Sequence, residues 1–251
     1  MLNSLSRIFT LTKRNIKEIL RDPLSLAFIL ALPLVMEILF YLIFHELSDQ
    51  FQMIYLAPGI VVFAQSFLSL FVGLLLATDR NTSFLTRLYV SKAHSHEFII
   101  AYALAVIPIS IVQAILFYLV GGIFDRSIFS TGMVLSILVS VITAIFFISL
   151  GLLFGSIFSA KSIGGVASIA ISGQSVLSGM WFPIDGINQG MKTFMEVLPF
   201  KNATLLVQNL VTDGIHDGFA DFGKPLIIVL AYTVVTFIGA IYAFRTKMKF
   251  R

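Results

Sequence analysis

The sequence predicts an all-α polytopic membrane protein. It has six transmembrane helices, an interfacial helix before the first, and short external re-entrant helices before the last. Three observations carry this. Hydrophobic residues make up 58% of the 251-residue chain and charged residues only 12%, against roughly 25% charged in soluble domains. Mean hydropathy is +0.96. Apolar runs at about 24–44, 54–78, 98–120, 133–158, 162–180 and 224–244 are each long enough to cross about 30 Å of hydrocarbon, which takes roughly 20 helical residues. Helix is the form such runs take, because it satisfies every backbone N–H and C=O within the segment. Little chain remains for a soluble domain, so residues 1–251 read as one membrane domain.

The first element, within residues 1–22, places Leu5, Ile8, Phe9, Ile16, Ile19 and Leu20 at helical spacing. Lys13, Lys17 and Arg21 recur every four residues on another face, and Glu18 stands at pairing distance from Arg14 and Arg21. Asp22-Pro23 ends the pattern, because a residue before proline avoids the α region. A basic amphipathic helix of this kind lies in the interface of the lipid bilayer, lysines toward anionic headgroups.

Counting Lys and Arg on alternate sides of the runs gives thirteen on the side of the termini and four on the other. The positive-inside rule then puts both termini and residues 79–97 in the cytoplasm. The net charge of +4 reflects this orientation rather than nucleic-acid binding, since there is no basic domain with interleaved aromatics. Absence of cysteine excludes disulfides, thiolate metal sites and cysteine nucleophiles. Between the second and third runs, Asp79 to Glu97 (DRNTSFLTRLYVSKAHSHE) is a polar, basic island in an otherwise apolar half.

The fourth run contains GLLFGSIF, with Gly151 and Gly155 on one face, so that another helix backbone can approach closely. Packing inside the bundle is the preferred reading, a dimer contact the alternative. The fifth run, with Gly164, Gly165, Gly173 and Gly179, is expected in the interior. In the external segment 181–223, Ile187, Met191, Phe194, Met195 and Leu198 predict a short amphipathic helix stopped at Pro199. Residues 203–211 predict a second. Both are too short to cross and read as re-entrant or interfacial. Residues 212–223 read as solvated loop.

Catalytic chemistry is not indicated. Gly218-x-x-x-x-Gly223-Lys224 spells most of a P-loop, but Pro225 stands where magnesium needs Ser or Thr. His94 and His96 are two apart, on different faces of a helix, with no partner at metal spacing. No metal site, paired carboxylates or nucleophile with a base is found. Glu37, four residues after Pro33, is the one acidic residue well inside a run. A charge there costs roughly 2.5–3.5 kcal/mol and often marks a transport path; the alternative is a protonated or hydrogen-bonded tie between helices. Gln65, Gln113 and Gln174 also lie in runs and could partner Glu37 or line a cavity. Transport or a structural role is left.

Leu177 to Asp185, LSGMWFPID, followed by Leu198-Pro199-Phe200, resembles the fifth-span ending of type-2 ABC transporter permeases, the six-span exporters of ABCG-like fold. The resemblance extends over nearly the whole chain. Asp79-Arg80 and Phe84-Leu85-Thr86-Arg87-Leu88 with Ser91 fit the family's loop pattern, whereas Asn81, Thr82 and Lys92 stand where glutamate, glycine and proline are expected. The resemblance implies a permease of a bacterial cell membrane that binds no cofactor itself. It implies a partner ABC ATPase subunit using ATP and magnesium, and a homodimer or a heterodimer with a paralogous permease. An amphipathic small molecule, peptide or lipid-like substrate would leave through the dimer interface. Residues 79–97 would be the coupling loop, with Phe84, Leu85, Arg87 and Leu88 toward the ATPase. Glu37, Gln65, Gln174, Trp181 and Phe182 would lie near the substrate path. Two alternatives stay open: a proton-coupled carrier using Glu37, and a non-transporting scaffold or immunity protein.

Overall fold

The computed structural model describes residues 4–81, 94–182 and 186–249. The described residues form nine α-helices and no strand: α1 Ser4–Leu20, α2 Pro23–Phe44, α3 Met53–Asn81, α4 Ser95–Phe124, α5 Thr131–Ile157, α6 Ala160–Leu177, α7 Gln189–Val197, α8 Pro199–Val211 and α9 Lys224–Lys249. Five of them, α2, α3, α4, α5 and α9, are long and apolar enough to cross a membrane. The fifth predicted run is less apolar than the others. Its helix, α6, has 18 residues, about 27 Å at 1.5 Å per residue. Gly179, at φ 74°, turns the chain in a left-handed conformation soon after its end, and Lys161 with several serines and glycines dilutes its apolarity.

Local chemistry sets the helix ends. Asp22 caps α2, its Oδ1 accepting from the Ser25 N–H at 3.1 Å and its Oδ2 from the Ser25 hydroxyl at 2.6 Å. Pro23 follows at the first helical position, where its missing N–H costs nothing. Pro199 both closes the path of α7 and opens α8 in the same way. The expected loop before α9 is ordered by Asp217, whose side chain accepts from the N–H groups of Phe219 and Ala220 at the head of a six-residue π turn, Gly218–Gly223.

Helix α3 is the axis of the bundle: 78% of its apolar window is buried, against 17% for α2 and 22% for α9. It touches α2, α4, α5, α6 and α8. The α3–α5 contact is backbone on backbone. A Cβ placed on Gly151 would lie 2.3 Å from the Ser69 carbonyl oxygen, and one on Gly155 2.6 Å from that of Gly73. Only glycine permits this approach, which draws the two helices together inside one chain. Helix α8 is embedded rather than peripheral, burying Asn202, Ala203, Leu206 and Val207 against α3, α5 and α9.

The internal proline of α2 has a specific counterpart. Pro33 carries no N–H, so the Ile29 carbonyl one turn earlier loses its helical donor. Gln113 of α4 fills the gap, its Nε2 donating to Ile29 O at 3.1 Å.

Candidate functional site

Helix α1 is three-sided. Leu11, Asn15 and Ile19 are buried, mainly against α4; Leu5, Phe9 and Leu20 form an exposed apolar side; Lys13, Lys17 and Arg21 are exposed on the third. Between the buried and basic sides stand Arg7 and Arg14, seven residues or two turns apart, about 10.5 Å along the helix. Each arginine takes one buried carboxylate.

Arg14 forms a two-pronged pair with Asp79 at the close of α3, its Nη2 donating to Oδ1 at 2.9 Å and its Nη1 to Oδ2. The hydroxyl of fully buried Tyr102 in α4 donates to the same Oδ2. Arg7 pairs likewise with Glu97 at the opening of α4, Nε to Oε2 at 2.9 Å and Nη2 to Oε1 at 2.6 Å. The Ser4 hydroxyl and the His94 N–H add their bonds to the same carboxylate. Asp79 and Glu97 are 3% and 1% exposed, so neither carboxylate has water to replace its arginine. Burial opposes the charge on Arg14, but the hydrogen bonds and charge of Asp79 outweigh it and hold the guanidinium more firmly protonated than usual. Arg80 adds a further tie, donating to the Gly155 carbonyl at 2.5 Å at the close of α5.

Asp79 and Glu97 are the first and last residues of the stretch the sequence marks as a coupling loop. Helix α1 thus fastens both of its ends at once. Phe84, Leu85, Arg87 and Leu88, expected to face an ATPase, lie outside the described residues. No group of three acidic or histidine residues placed to hold a metal occurs among the described residues.

The membrane-embedded candidates do not form one site. Gln65 ties α3 to α5, accepting from Thr143 Oγ1 at 2.6 Å and donating to Ser140 O at 2.8 Å. Gln174 ties α6 to α8 through Thr204 Oγ1 at 2.9 Å. Both are fully buried, and neither partners Glu37. Glu37 is itself completely buried in α2, with no hydrogen bond to either carboxyl oxygen. It packs where α4 comes close: a Cβ on Gly121 would stand 3.3 Å from its Oε1.

Trp181 does belong to a cluster, one that sequence reasoning missed. Its indole N–H donates to Ser175 Oγ at 3.0 Å, and its ring meets Phe40 of α2 edge-on at 4.6 Å and Phe63 of α3 at 5.6 Å. Phe51 stacks at 6.5 Å. Phe182 is half-buried beside them in sequence. The arginine pairs were missed as well, although two arginines at heptad spacing on the edge of an amphipathic helix were a visible sign.

A helical bundle with five long apolar helices, fronted by an amphipathic helix bound to its polar loop ends, defines a multi-pass membrane protein. A family model described as ABC-2 type transporter matches residues 6–210, from within α1 to within α8. The chain belongs to that family and is an ABC transporter permease, the normally non-catalytic membrane partner of an ATPase. No curated protein matches it.

Proposed function

We propose that this chain is the membrane subunit of an ATP-driven exporter. It pairs with a separate ATPase that uses ATP and magnesium, and it dimerises with a copy or a paralogue in a bacterial cell membrane. Both termini and residues 79–97 face the cytoplasm. The observation that carries the reading is the double clamp, Arg14 on Asp79 and Arg7 on Glu97. A loop whose two ends are bolted to the same amphipathic helix passes a push on to the bundle instead of absorbing it. The outer side of α6, with Ile169 and Val176 exposed and open space at Gly164 and Gly165, supports a second permease packing there, since small residues favour close helix approach. The aromatic cluster around Trp181 supports an apolar or amphipathic substrate near the outer end of α2, α3 and α6.

One observation favours a second reading, a proton-coupled carrier: Glu37 is buried without a partner, and intramembrane carboxylates serve as relays. Against it, Glu37 heads no hydrogen-bonded chain among the described residues. Reconstitution distinguishes the two. Transport by proteoliposomes that requires the ATPase subunit and ATP, and persists with the proton gradient collapsed, supports the exporter. Transport by this chain alone, driven by a gradient, overturns it, and no transport with or without ATPase points to a scaffold or immunity protein.

A further inference from the structure

Helix α1 meets the spans across a groove of about 270 Å³ lined only by apolar side chains. Ile16 and Leu20 come from α1, Leu26 and Leu30 from α2, and Ile109 and Val112 from α4. The surface of α1 next to it is basic, Lys13 and Lys17 lining a neighbouring cleft with Arg14, Glu18 and Arg21. Lys13, Ile16, Lys17 and Leu20 stand at i, i+3, i+4 and i+7 and so share one helix face, which puts two ammonium groups beside the two side chains that open the groove. Arg7 is committed to Glu97, Arg14 to Asp79 and Glu18 to Arg14, while Arg21 extends the basic side beyond Lys17. Lys13 and Lys17 are exposed and make no ion pair among the described residues. Glu18, the acidic residue lining the same cleft, is paired with Arg14 rather than with either lysine.

From this pairing of an unneutralised cationic surface with a dry groove we infer that α1, α2 and α4 form a binding site for one anionic phospholipid, its phosphate on Lys13 and Lys17 and an acyl chain in the groove. The charge complementarity selects the occupant. A zwitterionic headgroup brings its own cation to two lysines, and a soluble anion leaves the groove unfilled. The bound lipid would brace the side of α1 away from the Arg14–Asp79 and Arg7–Glu97 pairs. The site stands apart from the export reading, and its test measures binding rather than transport.

The full chain, purified in a neutral detergent, is titrated with phosphatidylglycerol or phosphatidylcholine of the same acyl chains while its thermal unfolding midpoint is followed. Phosphatidylglycerol is expected to raise the midpoint at lower concentration. Lys13→Gln with Lys17→Gln is expected to weaken that response about 25-fold, at about 1 kcal/mol or fivefold per lysine, while leaving the phosphatidylcholine response and the lipid-free midpoint unchanged. Val112→Trp, at a position more than half exposed, fills the groove mouth and should weaken the phosphatidylglycerol response with the lysines intact. Equal responses to the two lipids in the native chain would overturn the inference. So would full retention of the phosphatidylglycerol preference in the double variant, or an equal shift from glycerol phosphate, which has no acyl chain.

Discussion

Removing the Arg14 guanidinium is the perturbation whose cost follows most directly from the structure. Asp79 is 3% exposed and accepts two hydrogen bonds from Arg14 and one from Tyr102. In Arg14→Ala the carboxylate loses both guanidinium bonds and stays buried. Breaking a buried pair from one side costs about 3–5 kcal/mol. The Arg14 side chain is 30% exposed, so solvent already screens part of the interaction, and about 2–3 kcal/mol is the appropriate expectation. Asp79→Leu in the Arg14→Ala background removes both charges and should return part of that loss, since no buried carboxylate is left unpaired while the Tyr102 hydroxyl loses its acceptor. Thermal unfolding in detergent, run as a double-mutant cycle, reads the coupling directly, and about 1–3 kcal/mol is expected. Limited proteolysis would report the same event as release of α1. Additive single effects, or an Arg14→Ala loss under about 0.5 kcal/mol, would refute the clamp.

Three further outcomes follow from the packing. Gly151→Ala should destabilise by about 1–3 kcal/mol through overpacking against the Ser69 carbonyl, whereas Gly164→Ala, with nothing within 4 Å of the added carbon, should leave the unfolding midpoint unchanged or raise it. Gln113→Leu should cost about 1–3 kcal/mol by stranding the Ile29 carbonyl; adding Pro33→Ala restores a helical N–H to that carbonyl and should recover much of the loss, measured by the same thermal assay. Glu37→Met replaces a buried, unpartnered carboxyl with an apolar chain of similar length and should hold or raise stability; a marked fall in the midpoint would mean that the carboxyl is satisfied after all.

How far the sequence carries depends on the distance over which each feature is encoded. Helix α1 and the long helices were legible within a residue or a few, because twenty apolar residues between polar breaks have one stable form in a membrane. The fifth run forms a helix of nearly its own length, Ala160–Leu177, that ends before Gly179 turns the chain; Lys161, Gln174 and its serines and glycines make it less apolar than the other five. Pro199 was readable as a stop but not as the first residue of an embedded helix, which depends on α8 finding cover between α3, α5 and α9. The close glycines of α5 announced a near backbone; which helix it was could not be read. Arg14 finds Asp79 65 residues away and Arg7 finds Glu97 90 away, separations no local pattern encodes. Local reasoning paired Arg14 with Glu18, and that contact is present too. For Glu37, position inside a helix was legible, while its isolation from Gln65, Gln113 and Gln174 required the rotation of four helices to be known.

The claim that this permease couples to an ATPase through residues 79–97 is tested most directly by co-purification. Phe84 and Leu88 are four apart and share a face if their segment is helical. The double substitution Phe84→Asp with Leu88→Asp, made in the full chain and co-expressed with the ATPase subunit, should abolish recovery of the ATPase with the permease while membrane insertion stays at the native level. Normal recovery of ATPase together with undiminished ATP-dependent transport would contradict it.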